Sequence, residues 1–146
     1  MMNYIETKIR IDRMQEDGTT KLVTESYLVD ATSFTEAEAR ITEEMTPYIR
    51  GAFSVSAVKK SNISEIFNAE NAERLYRCKI NIVVLDERTG QEKRTACHIL
   101  VGAACFDGAI ATLKDGMRGS LSDYEIASIS ESDIKEVYFF TTKQNK

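Results

Sequence analysis

The chain has 146 residues, 42% hydrophobic and 29% charged, enough apolar material for a core and too little bias for a disordered tail. Its 19 Lys and Arg stand against 23 Asp and Glu, a formal net charge of -4, so the overall field opposes nucleic acid and any basic contact surface must be local. Three cysteines, one histidine, no basic-then-apolar N-terminal pattern and no long apolar run argue against disulfides, secretion and membrane spanning, and point to a cytoplasmic protein.

The first element is a strand: Ile5, Thr7, Ile9 and Ile11 alternate with Tyr4, Glu6, Lys8 and Arg10, the period of two that half-buried strands show. Asp17-Gly18 can reach positive φ and turns the chain back into a hairpin with 21–31. Phe34, Ala37, Ile41 and Met45 then recur every three or four residues, with Glu36, Glu38, Arg40, Glu43 and Glu44 around the opposite face. That spacing predicts an amphipathic helix anchored in the core by Phe34, opened by a Ser33/Glu36 capping box and stopped by Pro47. A third strand over 52–60 and a short apolar tail follow, and the polar stretch 68–74 reads as a linker without Gly or Pro.

The same order then returns. Thr7-Lys8-Ile9-Arg10-Ile11 aligns with Cys78-Lys79-Ile80-Asn81-Ile82 at an offset of 71, and Gly18 with Gly90 at 72. At 72, Leu28, Val29, Ala31, Phe34 and Ala37 meet Leu100, Val101, Ala103, Phe106 and Ala109. At 71 again, Phe53, Val55, Val58, Ile63 and Phe67 meet Tyr124, Ile126, Ile129, Ile134 and Tyr138. The second helix is less well signed, because Cys105 stands where the capping serine was and Gly108 enters the first turn; Gly116 or Gly119 can end it. The expected fold is α+β: two tandem β-β-α-β repeats about a pseudo-two-fold axis, with antiparallel sheet and one helix packed per repeat. Its expected organisation is a single domain, with repeat 1 at 1–67, linker 68–74, repeat 2 at 75–140 and a flexible tail at 141–146.

Few residues offer chemistry. Cys78, Cys97, His98 and Cys105 carry zinc-ligand types, but Cys97 and His98 are adjacent on a strand and project to opposite faces, and no C-x-x-C pair is present. No metal, cofactor or catalytic residue is therefore expected, and neither phosphate-loop nor dinucleotide glycine patterns occur. The arrangement that stands out is Lys8 and Lys79, equivalent in the two repeats, with Arg10 and Arg77 on the same outward strand faces. Together they would form an anion-binding surface. The plainer account is that they keep exposed strands soluble and unaggregated.

Two runs, Tyr27-Leu-Val-Asp-Ala-Thr-Ser-Phe-Thr-Glu-Ala-Glu-Ala-Arg40 and Asp123-Tyr-Glu-Ile-Ala-Ser-Ile-Ser-Glu131, with the opening Tyr4-x-x-x-Lys8, carry a resemblance. The chain resembles a family of small uncharacterised proteins, a domain of unknown function from gut Bacteroidetes-type bacteria and their phages and prophages. The resemblance implies a compact soluble protein from a phage or mobile-element setting and carries over no catalytic residues. The expected function is a non-catalytic binding protein, an accessory or counter-defence factor that sequesters a host protein or an anionic nucleotide-type ligand. The alternatives are a single-strand nucleic-acid accessory factor, which the net charge disfavours, and a homo-oligomeric assembly protein.

Overall fold

The computed structural model describes residues 3–70 and 72–139, so the tail expected at 141–146 lies outside the described residues. The alternation at the start becomes β1 (Asn3–Met14), which pairs antiparallel with β2 (Thr20–Ala31) across a turn where Gly18 takes φ 89°. Next comes α1 (Phe34–Met45), and β3 (Phe53–Lys60) returns antiparallel along the other edge of β1. The second repeat follows the same plan in β5 (Arg74–Leu85), β6 (Glu92–Ala103), α2 (Phe106–Gly116) and β7 (Asp123–Glu131). Gly90, at φ 75°, makes its hairpin turn. The fold is α+β, with eight strands in two sheets and a helix packed on each among the described residues.

The short apolar tails are themselves strands, and they change places. β4 (Ile63–Phe67) ends the first repeat but runs parallel to β6, whereas β8 (Ile134–Tyr138) ends the second and runs parallel to β2. One sheet is therefore ordered β3-β1-β2-β8 and the other β4-β6-β5-β7. The chain falls into two compact units, unit 1 from 1–61 with 133–146 and unit 2 from 62–132. Sequence similarity divides the chain near 67–75, and packing divides it one strand earlier in each repeat.

Each unit buries one sheet face beneath its helix. In unit 1, Ile5, Ile9, Ile11, Tyr27 and Val29 pack with Ala37, Ile41 and Met45; in unit 2, Tyr76, Cys78, Ile80, Ile99 and Val101 pack with Ala109 and Leu113. Three side chains depart from the periodicity. Phe34 and Phe106 are not core anchors: they sit in the first helical turn with 54% and 49% of their surface exposed, Phe106 meeting Tyr76 edge-on at 6.4 Å. Arg40, expected on the outer face, is 7% exposed, donates from Nη2 to the Phe139 carbonyl and lies 3.7 Å from Glu44. The reason is the exchanged strand, whose end brings a carbonyl acceptor 99 residues away in sequence.

The linker is ordered without being helical through its described residues. Asn68, at φ 55°, donates through Nδ2 to the Gly102 carbonyl at 3.2 Å. A Cβ at position 102 would overlap the Asn68 carbonyl oxygen and the Ala72 side chain, so this crossing of the chain requires glycine.

Candidate functional site

Lys8 and Arg10 flank the core residue Ile9 on β1, and therefore lie on the sheet face opposite α1. On β5 in unit 2, Lys79 takes the place of Lys8 and Arg77 lies two residues before it on the same face, interleaved with Tyr76, Cys78 and Ile80. Lys8 and Arg77 are half-buried, Arg10 and Lys79 exposed. Arg77 Nη1 donates to Asn62 Oδ1 at 2.9 Å. The structure thus places the four residues as two pairs, one in each unit.

The two lysines share a backbone device. The β1–β3 register slips between Lys8 and Ile9, where Ser56 is the extra residue, and the β5–β7 register slips between Lys79 and Ile80, where Ala127 is. Ser56 Oγ also donates to the Lys8 carbonyl at 3.2 Å. A bulge bends its strand and re-aims neighbouring side chains, and bulges concentrate at sheet edges and beside functional sites. Here both fall opposite the equivalent lysine.

The thiols and the imidazole do not converge. Cys78 is fully buried, and burial pushes its thiol up to about 11, which suppresses the nucleophilic thiolate. Cys97 pairs with Ile80 and packs toward the unit 2 core, its Sγ 3.0 Å from Ser64 Oγ, while the next residue, His98, pairs with Lys79 on the other face. Among the described residues no three His, Cys, Asp or Glu are grouped to hold a metal ion.

One hollow was not singled out by sequence motifs. It lies in unit 1 at the C-terminal end of α1, has a volume of about 320 Å³, and is lined by Arg13, Glu25, Tyr27, Met45, Tyr48, Ile49, Glu136 and Tyr138. Tyr27 and Tyr138 come from adjacent parallel strands, their ring centroids 6.0 Å apart. Tyr27 Oη donates to Glu25 Oε1 at 2.8 Å, Arg13 Nη2 to Glu25 Oε2 at 3.0 Å, and Tyr138 Oη to Glu136 Oε1 at 3.4 Å. Both phenols are raised well above the ordinary tyrosine range, first by burial and then by the glutamates beside them. Glu136 and Tyr138 arrive on β8, more than a hundred residues from Glu25 in sequence, so no local motif could announce the site.

A comparison with known families matches the sequence over residues 3–140, from the first residue of β1 to just beyond β8. The chain belongs to the DUF4494 family. The family is described only as a domain of unknown function. The match covers both repeats, so the duplication lies within the DUF4494 domain. No curated protein matches the chain. Among the described residues, no helix of the DUF4494 domain is long and apolar enough to cross a membrane.

Proposed function

We propose that this chain is a stoichiometric binding protein whose partner is a basic protein, docked on the acidic side of unit 1. The observation that carries this is a charge difference between two copies of one scaffold. α1 carries Glu36, Glu38, Glu43 and Glu44 against Arg40 alone, and Arg40 is turned inward, whereas α2 carries Asp107 and Asp115 against Lys114. The fold therefore does not require an acidic helix, since its duplicate packs without one. Desolvating charge of one sign against the opposite sign steers association and sets register.

The setting that fits is an accessory or counter-defence factor of a phage or mobile element, acting in the cytoplasm on a host protein; it rests on the resemblance in sequence, as does a homo-oligomeric form on the duplicated sheets. The test titrates the protein with a basic polypeptide, poly-L-lysine, at physiological salt. Saturable binding should be lost in Glu38→Lys/Glu43→Lys and kept in Asp107→Lys/Asp115→Lys, which makes the same charge change on the duplicate. Equal loss in both pairs would reduce the effect to net charge and overturn the proposal.

A second reading, an anionic nucleotide-type ligand bound within one unit, by Lys8 and Arg10 in unit 1 or by Arg77 and Lys79 in unit 2, is favoured by the paired bulges opposite the two lysines. In a folded Lys8→Glu/Lys79→Glu variant, nucleotide triphosphate binding should fall at least tenfold, about the loss of one charge-assisted hydrogen bond. Unchanged affinity would remove this reading.

A further inference from the structure

The hollow at the end of α1 has chemistry that its duplicate lacks. Aligning the repeats puts Val84, Cys97, Ile99 and Phe67 of unit 2 where unit 1 has Arg13, Glu25, Tyr27 and Tyr138, while Glu136 keeps a like counterpart in Glu65. In unit 2 those positions include core packing by Ile99, Cys97 and Phe67. At these four positions unit 2 carries neither charge nor phenol, so the scaffold does not require them. In unit 1 they line a half-open space of about 320 Å³, walled by two tyrosine rings and bearing two carboxylates.

Three features give the space a preference for positive charge. Glu25 and Glu136 face it with only Arg13 to offset them among its lining residues. Tyrosine faces attract cations through their quadrupoles. Met45, the last residue of α1, forms part of the wall, so the negative end of the helix dipole lies at the pocket. No basic residue occupies the last turn of α1, whereas α2 has Lys114 there.

Arg13 shows which cation the carboxylates accept. Its guanidinium bonds Glu25 at 3.0 Å although its own side chain is 52% exposed, while Glu25 is 11% exposed. The acceptor is fixed and largely buried; the donor hangs on the end of a hairpin strand and is half in water. Such a contact is weak and replaceable.

We infer that this pocket binds the guanidinium group of an arginine side chain, which displaces Arg13 from Glu25 and lies beside the Tyr27–Tyr138 pair. The inference deepens the proposal of a basic protein partner by naming the group that partner inserts. Glu25 and Glu136 supply the acceptors, Tyr27 and Tyr138 the walls, and Arg13 is a built-in competitor that holds Glu25 in place while the site is empty.

The test is an amide chemical-shift titration of the full chain with N-acetyl-arginine methylamide, and with its neutral isostere N-acetyl-citrulline methylamide as control. The arginine compound should give saturable shifts in 25–27, 45–49 and 136–138, and the citrulline compound none. Glu25→Gln and Glu136→Gln should each weaken binding roughly tenfold, the loss of one hydrogen bond to a charged group. Arg13→Gln removes the competitor and should tighten binding about two- to fivefold, the worth of an exposed ion pair. The Arg13 variant leaves the pocket walls intact and remains informative if the glutamate variants fail to fold. Equal shifts with citrulline, no saturable shift with arginine, or weaker binding in Arg13→Gln would each overturn the inference. Failure of poly-L-lysine to bind at α1 would leave these results unmoved, so the two proposals fail separately.

Discussion

A thiol ionises readily only where water or a neighbouring cation can stabilise the thiolate, and Cys78 has a fully buried side chain among Ile80, Ile99 and Val101. Burial raises it from 9.0 to about 11, so the folded chain holds this proton to higher pH than the unfolded chain does. The contribution to stability is fully present below the ordinary thiol range and is lost as pH rises through about 11. Stability measured by urea denaturation should therefore decline from about pH 9 upward. In Cys78→Ala, whose absolute stability is lower because a side chain is deleted, the decline between about pH 9 and 10 should flatten, since Tyr27 and Tyr138 have the same sign but act only above the ordinary tyrosine range. An identical slope in wild type and variant would show that Cys78 meets water. Cys105, exposed at the start of α2, should react with a thiol reagent in the native protein while Cys78 reacts only on unfolding.

The two helices start from the same backbone and differ in what satisfies it. Ser33 has φ -152° and ψ 164°, and its hydroxyl accepts from Glu36 N at 3.0 Å; Cys105 has φ -153° and ψ 173° and makes no side-chain cap. Glu36 completes the first cap differently from the expected box, accepting from Thr32 N and Thr32 Oγ1, one residue ahead of the capping serine. Cys105→Ser should supply the missing acceptor and stabilise the protein by about 0.5–1 kcal/mol, while Ser33→Ala should cost about 1 kcal/mol. Thermal or urea unfolding of both variants reads this directly; a neutral Cys105→Ser would mean that water already satisfies the first turn of α2. These elements were legible because their signals are local: the alternation in β1, the Gly18 and Gly90 turns, the Ser33 cap and the 71–72 repeat each lie within one segment or its copy. Phe34 misled because a residue in the first helical turn can satisfy the stripe and still overhang the sheet. Arg40 misled because its acceptor comes from the distant end of β8, and the Tyr27–Tyr138 pocket was hidden for the same reason.

At the scale of the whole chain, the decisive feature is that each repeat gives its last strand to the other repeat's sheet. β4 pairs with 98–101 of β6, and β8 with 26–29 of β2. Even the irregularities correspond, since the register slips at Ser64 in β4 and at Lys135 in β8, positions 71 apart. The lending has a physical consequence for how damage spreads. Proline removes a backbone donor, and its fixed φ near -65° departs from the value of about -120° that a parallel strand needs. Ile66→Pro lies in the first repeat by sequence, yet it should strip exchange protection from 98–101 in the second and leave 26–29 protected. Val137→Pro should do the reverse, exposing 26–29 and sparing 98–101. The expected loss is roughly 10- to 100-fold in protection factor, corresponding to one or two ladder bonds and the strain around them. Native-state hydrogen exchange of the two variants distinguishes this from a duplication in which each repeat keeps its own strand: there, Ile66→Pro would open 26–29 and Val137→Pro would open 98–101. Because Glu136 and Tyr138 travel on β8, Val137→Pro should also abolish the arginine response of the unit 1 pocket, and Ile66→Pro should leave it standing.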